Sequence, residues 1–311
     1  MSDRSLSRRD MLSLSGGLAL AAALTTALPR RAAALGTFEL GDKSLSIVSD
    51  GNLVLPLDFA FPAPPRQELT GLLADYGLPT DALYPDCNVT ILRNGERTVL
   101  FDVGSGANFM PTAGRLAGNL AEAGIDPSEV TDVIFTHAHP DHLWGLVDDF
   151  DELVFPEANY HMSRAEWDFW ASDDTVNLMP EARRGFAVGA RNRFDYLEES
   201  INLFGGGDEV VPGVEAVDTA GHTPGHTSFV VHAGSDSVMI TGDAITNVAV
   251  SFERPDWPSG SDQDADMGAK TRARLLDRLV ADGTGIVGFH LPHPGAGKVE
   301  RKGTAYRFAK G

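Results

Sequence analysis

Thr136-His137-Ala138-His139-Pro140-Asp141-His142 places three imidazoles and a carboxylate within six residues. It follows Val133-Ile134-Phe135, a short β-branched and aromatic run that predicts a buried strand. The ligand-type side chains therefore leave a strand end on a loop. Pro140 is expected to keep that loop out of helix. His137 and His139 are two apart, so in extended chain they leave on the same side and can share one metal. Asp141 and His142 are adjacent, which favours a turn aiming both at a second, neighbouring metal. Imidazole nitrogens mixed with carboxylate oxygens suit zinc, iron or manganese rather than calcium or magnesium.

Upstream of this stretch, residues 38–55 alternate apolar and polar side chains around Gly-Asp and Asp-Gly-Asn breaks and read as hairpin strands. Residues 88–92 and 98–103 flank Asn94-Gly95 as a second hairpin. It ends in Phe101-Asp102-Val103-Gly104-Ser105-Gly106. No G-x-x-x-x-G-K pattern is present there, so it is not a phosphate loop. Asp102 reads instead as a carboxylate that orients a ligating imidazole. Helices are expected over 68–76, over 112–123 with Thr112 as cap, after Ser163 as cap, and over 180–199.

Downstream, residues 214–218 lead into Thr219-Ala220-Gly221-His222-Thr223-Pro224-Gly225-His226. Residues 227–232 and 237–241 form a hairpin ending at Gly242-Asp243. Residues 270–280 read as a helix, 285–289 as a strand delivering His290, and 303–308 close the chain. Strand-rich blocks punctuated by helices thus occur twice, each with ligand-type residues at strand ends. That is the layout of two packed sheets with helices outside. Of nine histidines, His137, His139, His142, His222 and His290 fall at strand ends beside Gly or Pro, as do Asp141 and Asp243. His226 and His293 lie near enough in sequence to be pocket residues, whereas His161 and His232 read as strand residues.

The chain has 311 residues and 42% hydrophobic content, ample for a buried core. Its single cysteine, Cys87, excludes an intrachain disulfide and a cysteine-based metal site and reads as a small buried hydrophobe. Ser7-Arg8-Arg9-Asp10-Met11-Leu12, the apolar stretch 12–28 and Ala32-Ala33-Ala34 form a twin-arginine leader with a cleavage site. Residues 1–34 are therefore expected to be removed on export to the periplasm or beyond, leaving 35–311 as the working domain. The leader holds five arginines and two aspartates. Without it, 20 basic residues face 42 acidic ones, a net of −22 against −19 for the whole chain. Such a surface repels nucleic acid and anionic lipid and points to a small neutral substrate. No membrane insertion is expected after cleavage, and a homodimer is compatible with the composition.

H-x-H-x-D-H, then T-x-G-H-T-P-G-H, then Gly-Asp and a late strand-end His resemble, in that order, the metallo-β-lactamase-fold hydrolase superfamily. The resemblance spans essentially the whole of 35–311. It implies an α+β fold, a four-layer αβ/βα sandwich with the site at one edge. It also implies two divalent metal ions, zinc foremost, with iron, manganese or cobalt as alternatives. His137, His139 and His222 would hold one ion, and Asp141, His142 and His290 the other, with Asp243 bridging them.

Within the superfamily the chain is similar to methyl parathion hydrolase and its lactonase and arylesterase relatives. Gly114-Arg115-Leu116-Ala117-Gly118-Asn119-Leu120, Asp168-Phe169-Trp170, Gly221-His222-Thr223-Pro224-Gly225-His226-Thr227 and Gly303-Thr304-Ala305-Tyr306-Arg307-Phe308 carry that likeness. It implies an aromatic substrate pocket at Phe109, Trp170 and Phe186. Leu143-Trp144-Gly145, with a Trp where a small residue is usual, and the loop 250–267 depart from the pattern and bear on the substrate. The implied activity is hydrolysis of neutral lactones, aryl esters or organophosphate triesters by a metal-bridging hydroxide. Asp141 would orient it and pass a proton to the leaving group. The rival readings are a β-lactamase-like amide hydrolase, against which a bridging Asp243 argues, and a metal-dependent oxidoreductase of the same fold. No G-x-S-x-G elbow offers a serine nucleophile.

Overall fold

The computed structural model describes residues 35–311. The leader and cleavage site expected within residues 1–34 lie outside the described residues. The first sheet has seven strands, in the order β1 (Leu35–Leu40), β2 (Lys43–Asn52), β5 (Asp86–Asn94), β6 (Arg97–Phe101), β7 (Asp132–Ile134), β8 (Asn159–Ser163) and β9 (Asn202–Phe204). Between them in sequence, β3 (Leu55–Pro56) and β4 (Ala82–Leu83) pair as a separate ribbon. The second sheet also has seven strands: β10 (Glu209–Val211), β11 (Val214–Asp218), β12 (Thr227–Ala233), β13 (Asp236–Ile240), β14 (Gly285–Val287), β15 (Ala296–Lys302) and β16 (Ala305–Lys310).

Period-two alternation sorts these strands' side chains into layers. On β6, Val99 and Phe101 join Leu45, Ile47 and Ile134 in a core shared with Val214, Phe229, Val231 and Ile240 of the second sheet. Leu100, between them, faces the other way, into a core with Leu116, Leu120, Trp170, Ala187 and Phe194. Those residues come from α3 (Leu116–Glu122), α5 (Arg164–Ala171) and α7 (Arg184–Phe194). On β12, Val230 turns away from Phe229 and Val231 to pack with Leu275, Leu276 and Leu279 of α9 (Ala265–Asp282). Three cores between four layers give helix, sheet, sheet, helix, the metallo-β-lactamase arrangement expected above. Among the described residues no helix is long and apolar enough to cross a membrane.

The parallel pairings position the site. β6, β7, β8 and β9 run parallel in the first sheet, and β13 and β14 in the second. Each parallel step needs a helical crossover, so the chain leaves the carboxyl end of each strand on a loop. Asp102 follows β6, the 137–142 segment follows β7, Asp243 follows β13, and His290 lies just beyond β14.

Several local expectations need correction. Pro140 does not exclude helix: it opens α4 (Pro140–Leu143) from its first turn, where its fixed φ fits and its missing N–H costs nothing. Asp141 and His142 are thus displayed by one helical turn. Thr112 does not cap the following helix. Gly114, at φ +74°, bends the chain first, and the Asp50 carboxylate from β2 accepts Leu116 N–H at 2.8 Å. Ser163 precedes α5 without a side-chain cap bond. The 180–199 segment divides into a 3₁₀ turn at Glu181–Arg183 and α7. The helix expected at 270–280 begins earlier, at Ala265, capped by the Asp264 side chain on Met267 N–H.

Phe229 sits between the sheets, wholly buried, with its ring 5.5 Å from Phe101 and 5.7 Å from Phe204. Phe229→Ala is expected to cost about 3–5 kcal/mol of stability. Phe150→Ala, at a side chain 83% exposed, is expected to stay within about 0.5 kcal/mol of the parent. Thermal melting of the two variants checks the assignment, and equal losses would contradict it.

Candidate metal centre

The seven residues singled out above come together at the edge where the two sheets meet. His139 Nδ1 lies 3.0 Å from His137 Nε2 and 2.9 Å from His222 Nε2. Asp243 stands beside this trio and beside the remaining ligand-type residues. Its Oδ2 is 3.2 Å from His222 Nε2 and 3.2 Å from His290 Nε2, and its Oδ1 is 3.3 Å from His142 Nε2. Asp141 Oδ2 is 3.4 Å from His142 Nε2 and 3.2 Å from His290 Nε2. One carboxylate therefore faces both groups.

Most of the inward-facing rings are held from behind. Asp102 approaches His142 Nδ1 at 2.8 Å and also accepts the backbone N–H and the hydroxyl of Thr136. It does so from the left-handed region, φ +64°, a conformation an aspartate tolerates better than most residues. His222 Nδ1 meets Asp262 at 3.0 Å, and Arg272 Nη2 donates to the same carboxylate at 2.8 Å. His290 Nδ1 lies 2.9 Å from the Asp86 carbonyl, and His137 Nδ1 lies 3.0 Å from Thr136 Oγ1. Each contact fixes the ring and its tautomer, as a ligating imidazole requires.

Sequence reasoning found Asp102 but missed Glu166 and Asp262. Glu166 is wholly buried on α5 and ties the two ligand loops together. Its Oε1 accepts Ala138 N–H at 2.8 Å and Trp170 Nε1–H at 2.6 Å. Its Oε2 accepts Thr223 Oγ1–H at 2.6 Å and Gly225 N–H at 3.0 Å. Gly225 is required there, since an added Cβ would lie 2.0 Å from Glu166 N. Neither carboxylate carries a sequence signal, because each meets its partners only through the tertiary fold.

The pocket residues divide. Phe109 and Phe186 line a cavity of about 340 Å³, with their rings 6.1 Å apart. Trp170 does not line it. Its ring is fully buried, edge-on to His139 with centroids 5.7 Å apart, because its indole N–H is committed to Glu166. Trp144 packs against Phe109 and Phe186 from outside the cavity. His226 is also behind the site. Its Nε2 accepts Asp243 N–H at 2.9 Å, and burial, reinforced by His222, pushes its pKa down to about 3. His293 bonds Asn88 and Asp86, while His161 and His232 occupy β8 and β12. Cys87 is buried as expected, yet its thiol belongs to the group formed with Asp141 and His290, so a cysteine does adjoin the centre.

The donor set fits a divalent cation. Asp141 Oδ2, His142 Nε2 and Asp243 Oδ1 are buried and make no hydrogen bond although they face one another. Burial and the neighbouring imidazoles hold His137 and His139 well below the usual imidazole range, hence neutral and ligand-ready. Burial opposes charge on His142 and His290, but Asp141 and Asp243 outweigh it and raise both. Burial likewise opposes charge on Asp141 and Asp243, and those imidazoles outweigh it, so both carboxylates stay ionised. The trio His137, His139 and His222 and the trios built on Asp141 and on Asp243 each bring ligand atoms within 4.8 Å of one another.

Glu166→Ala would strand four donors in the interior, at about 1–3 kcal/mol for each one left unpaired. The variant is expected to be several kcal/mol less stable, to melt at a lower temperature and to lose bound metal faster on dialysis. A parent-like melting temperature and metal retention would show that Glu166 does not tie the loops.

Comparison with known proteins places this geometry. N-acyl homoserine lactonases of Bacillus sp and Bacillus thuringiensis are 28% identical over 180 residues, which cover 56% of this chain. The match spans 58% of the length of those curated relatives. AidC, a dizinc quorum-quenching lactonase solved with a product, superposes with a TM-score of 0.85 at 26% identity, covering 90% of this chain and 98% of its own. The hydrolase AbOPH, in the beta lactamase superfamily, superposes with a TM-score of 0.83 at 25% identity, covering 89% and 97%. A family model described as the metallo-beta-lactamase superfamily matches residues 85–289, the span that runs from the Asp86 carbonyl behind His290 almost to His290 itself. On that match, and on the four-layer fold, this chain belongs to the metallo-beta-lactamase superfamily.

Proposed function

We propose that this chain is a metal-dependent hydrolase that binds two divalent ions, zinc foremost, and cleaves neutral lactones, with aryl esters and organophosphate triesters as the wider class. One observation carries the reading. A single cavity has His139, Asp141, His222, Asp243 and His290 at its floor and an apolar wall that includes Leu53, Leu55, Phe109 and Phe186. The names of the lactonase relatives support the same substrate class.

His137, His139 and His222 would hold one ion, and Asp141, His142 and His290 the other, with Asp243 facing both. Bound there, the ions supply a water that ionises near neutral pH and a Lewis acid for the attacked oxygen. The chain does the rest. Phe109 and Phe186 take the apolar part of the substrate and keep bulk water from it. Asp141 is held ionised. It would orient the attacking hydroxide and pass a proton to the leaving oxygen. The net charge of −22 outside the leader region disfavours anionic substrates such as phosphate monoesters.

The test is turnover of lactones, aryl esters, a phosphotriester and a β-lactam by metal-quantified protein. Hydrolysis of the lactones with two metal equivalents bound is expected. Failure on the lactones, aryl esters and triester by fully loaded protein would reject the reading. Asp243→Ala is expected to lose at least one ion and more than about 100-fold in activity, since removing even an outer-shell partner costs 10–100-fold. His232→Ala, on an exposed strand position paired with Glu215, is expected to keep both.

We also read residues 1–34 as a twin-arginine leader lost on export to the periplasm or beyond, leaving 35–311 as the hydrolase domain. Replacing Arg8 and Arg9 with lysine is expected to leave uncut protein in the cytoplasm, and unchanged periplasmic recovery would reject this.

A further inference from the structure

The cavity above the ligand cluster has two unlike walls. The apolar one carries Leu53, Leu55 and Phe186, and facing into the same cavity is a polar group of Asn247, Ser259 and Ser261. The two serines bond each other, with Oγ atoms 2.8 Å apart. Asn247 offers a pair of donors held in a fixed direction. Its Oδ1 accepts Ala249 N–H at 2.9 Å and Val250 N–H at 2.8 Å. Both partners can only donate, so the carboxamide oxygen must face them and the amide cannot be flipped. Its backbone N–H donates to Ser251 Oγ at 3.0 Å, which fixes the residue at a second point. The Nδ2 group, with two N–H donors, is left on the opposite side of a residue that is only 8% exposed and lines the cavity. Among the described residues it has no hydrogen-bond partner.

A preorganised neutral donor beside an apolar chamber recognises a carbonyl oxygen. Arg183, also on the cavity, donates to the Ser261 carbonyl at 3.2 Å and lies over the Phe59 ring. We propose that Asn247 determines specificity. Its Nδ2 donates to a second carbonyl, an amide or ester group lying between the scissile carbonyl and the apolar tail of a neutral lactone or ester. The proposal rests on the hydrolase reading and names the substrate class within it. A site built to bond a polar group rejects analogues that lack it, because its own donor is then left unpaired.

Asn247→Asp separates this role from the structural one. The aspartate keeps an oxygen for Ala249 and Val250 N–H but replaces the donor with an acceptor that repels a carbonyl. Asn247→Ser removes the reach into the cavity without adding charge. The probes are N-hexanoyl-homoserine lactone, which has the second carbonyl, and α-hexyl-γ-butyrolactone, which has the same ring and an alkyl tail on the same carbon. Metal-loaded wild type is expected to prefer the amide lactone. In both variants the ratio of kcat/KM for the amide lactone over the alkyl lactone is expected to fall about tenfold, mainly through KM, the size of one lost hydrogen bond. Equal losses on both lactones, or a wild type without preference, would overturn the proposal. If wild type turns over no lactone, ester or triester, the hydrolase reading fails instead. Calorimetric affinities for the two lactones then decide on Asn247 by the same ratio.

Discussion

In the interior, His139 Nδ1 lies 3.0 Å from a ring nitrogen of His137 and 2.9 Å from one of His222. Burial keeps His137 and His139 from charging, so lone pairs are driven together with too few protons to separate them. A divalent cation held by these three residues would satisfy all of them at once. Held apart from such a cation, the arrangement is one the chain must impose, and the surrounding structure is organised to impose it. Asp262 with Arg272, Thr136 and the Glu166 strap each hold a ring or loop that would otherwise relax outward.

The other half of the cluster is built on the opposite electrostatic principle. His142 and His290 face Asp141 and Asp243, and these four groups stabilise one another's charge. Protons therefore favour this half, whereas burial disfavours them on His137 and His139. Asp243 belongs to both, and it reaches that position because Gly242 adopts φ +50° and because a Cβ there would lie 2.7 Å from His226 Nε2. The backbone turn after β13 and the imidazole behind it are thus one device for placing a carboxylate between two groups.

The sheets and the seven ligand-type residues were legible because their signals are local. Strand periodicity needs only a few residues, and H-x-H-x-D-H lies within one turn of chain. What escaped the sequence depends on distant partners. The helix start at Leu116 is capped by Asp50, which precedes it by 66 residues. Glu166 carries no local signal, since it meets Ala138 and Gly225 only when α5 packs beneath the two ligand loops. Trp170 carried an aromatic signal that did not distinguish a pocket wall from a buried ring, and its bond to Glu166 settles it as buried. Pro140 was misread because proline breaks a helix interior yet suits a helix start. Asn247 had no signal at all, since its orientation follows from two backbone amides that become neighbours only on folding.

The ligand-type residues are divided between the sheets. His137, His139, Asp141 and His142 follow β7 of the first, whereas His222, Asp243 and His290 belong to the second. His139 and His222 are 83 residues apart in the chain. Neither half of the polypeptide holds a complete donor set, so a bound ion acts as a reversible cross-link that closes a long loop of the unfolded chain. Its binding energy adds to the cohesion of the sheet-on-sheet core, in proportion to the logarithm of free metal concentration. Metal supply thereby sets how firmly the two halves of the sandwich are clasped as well as what they can do.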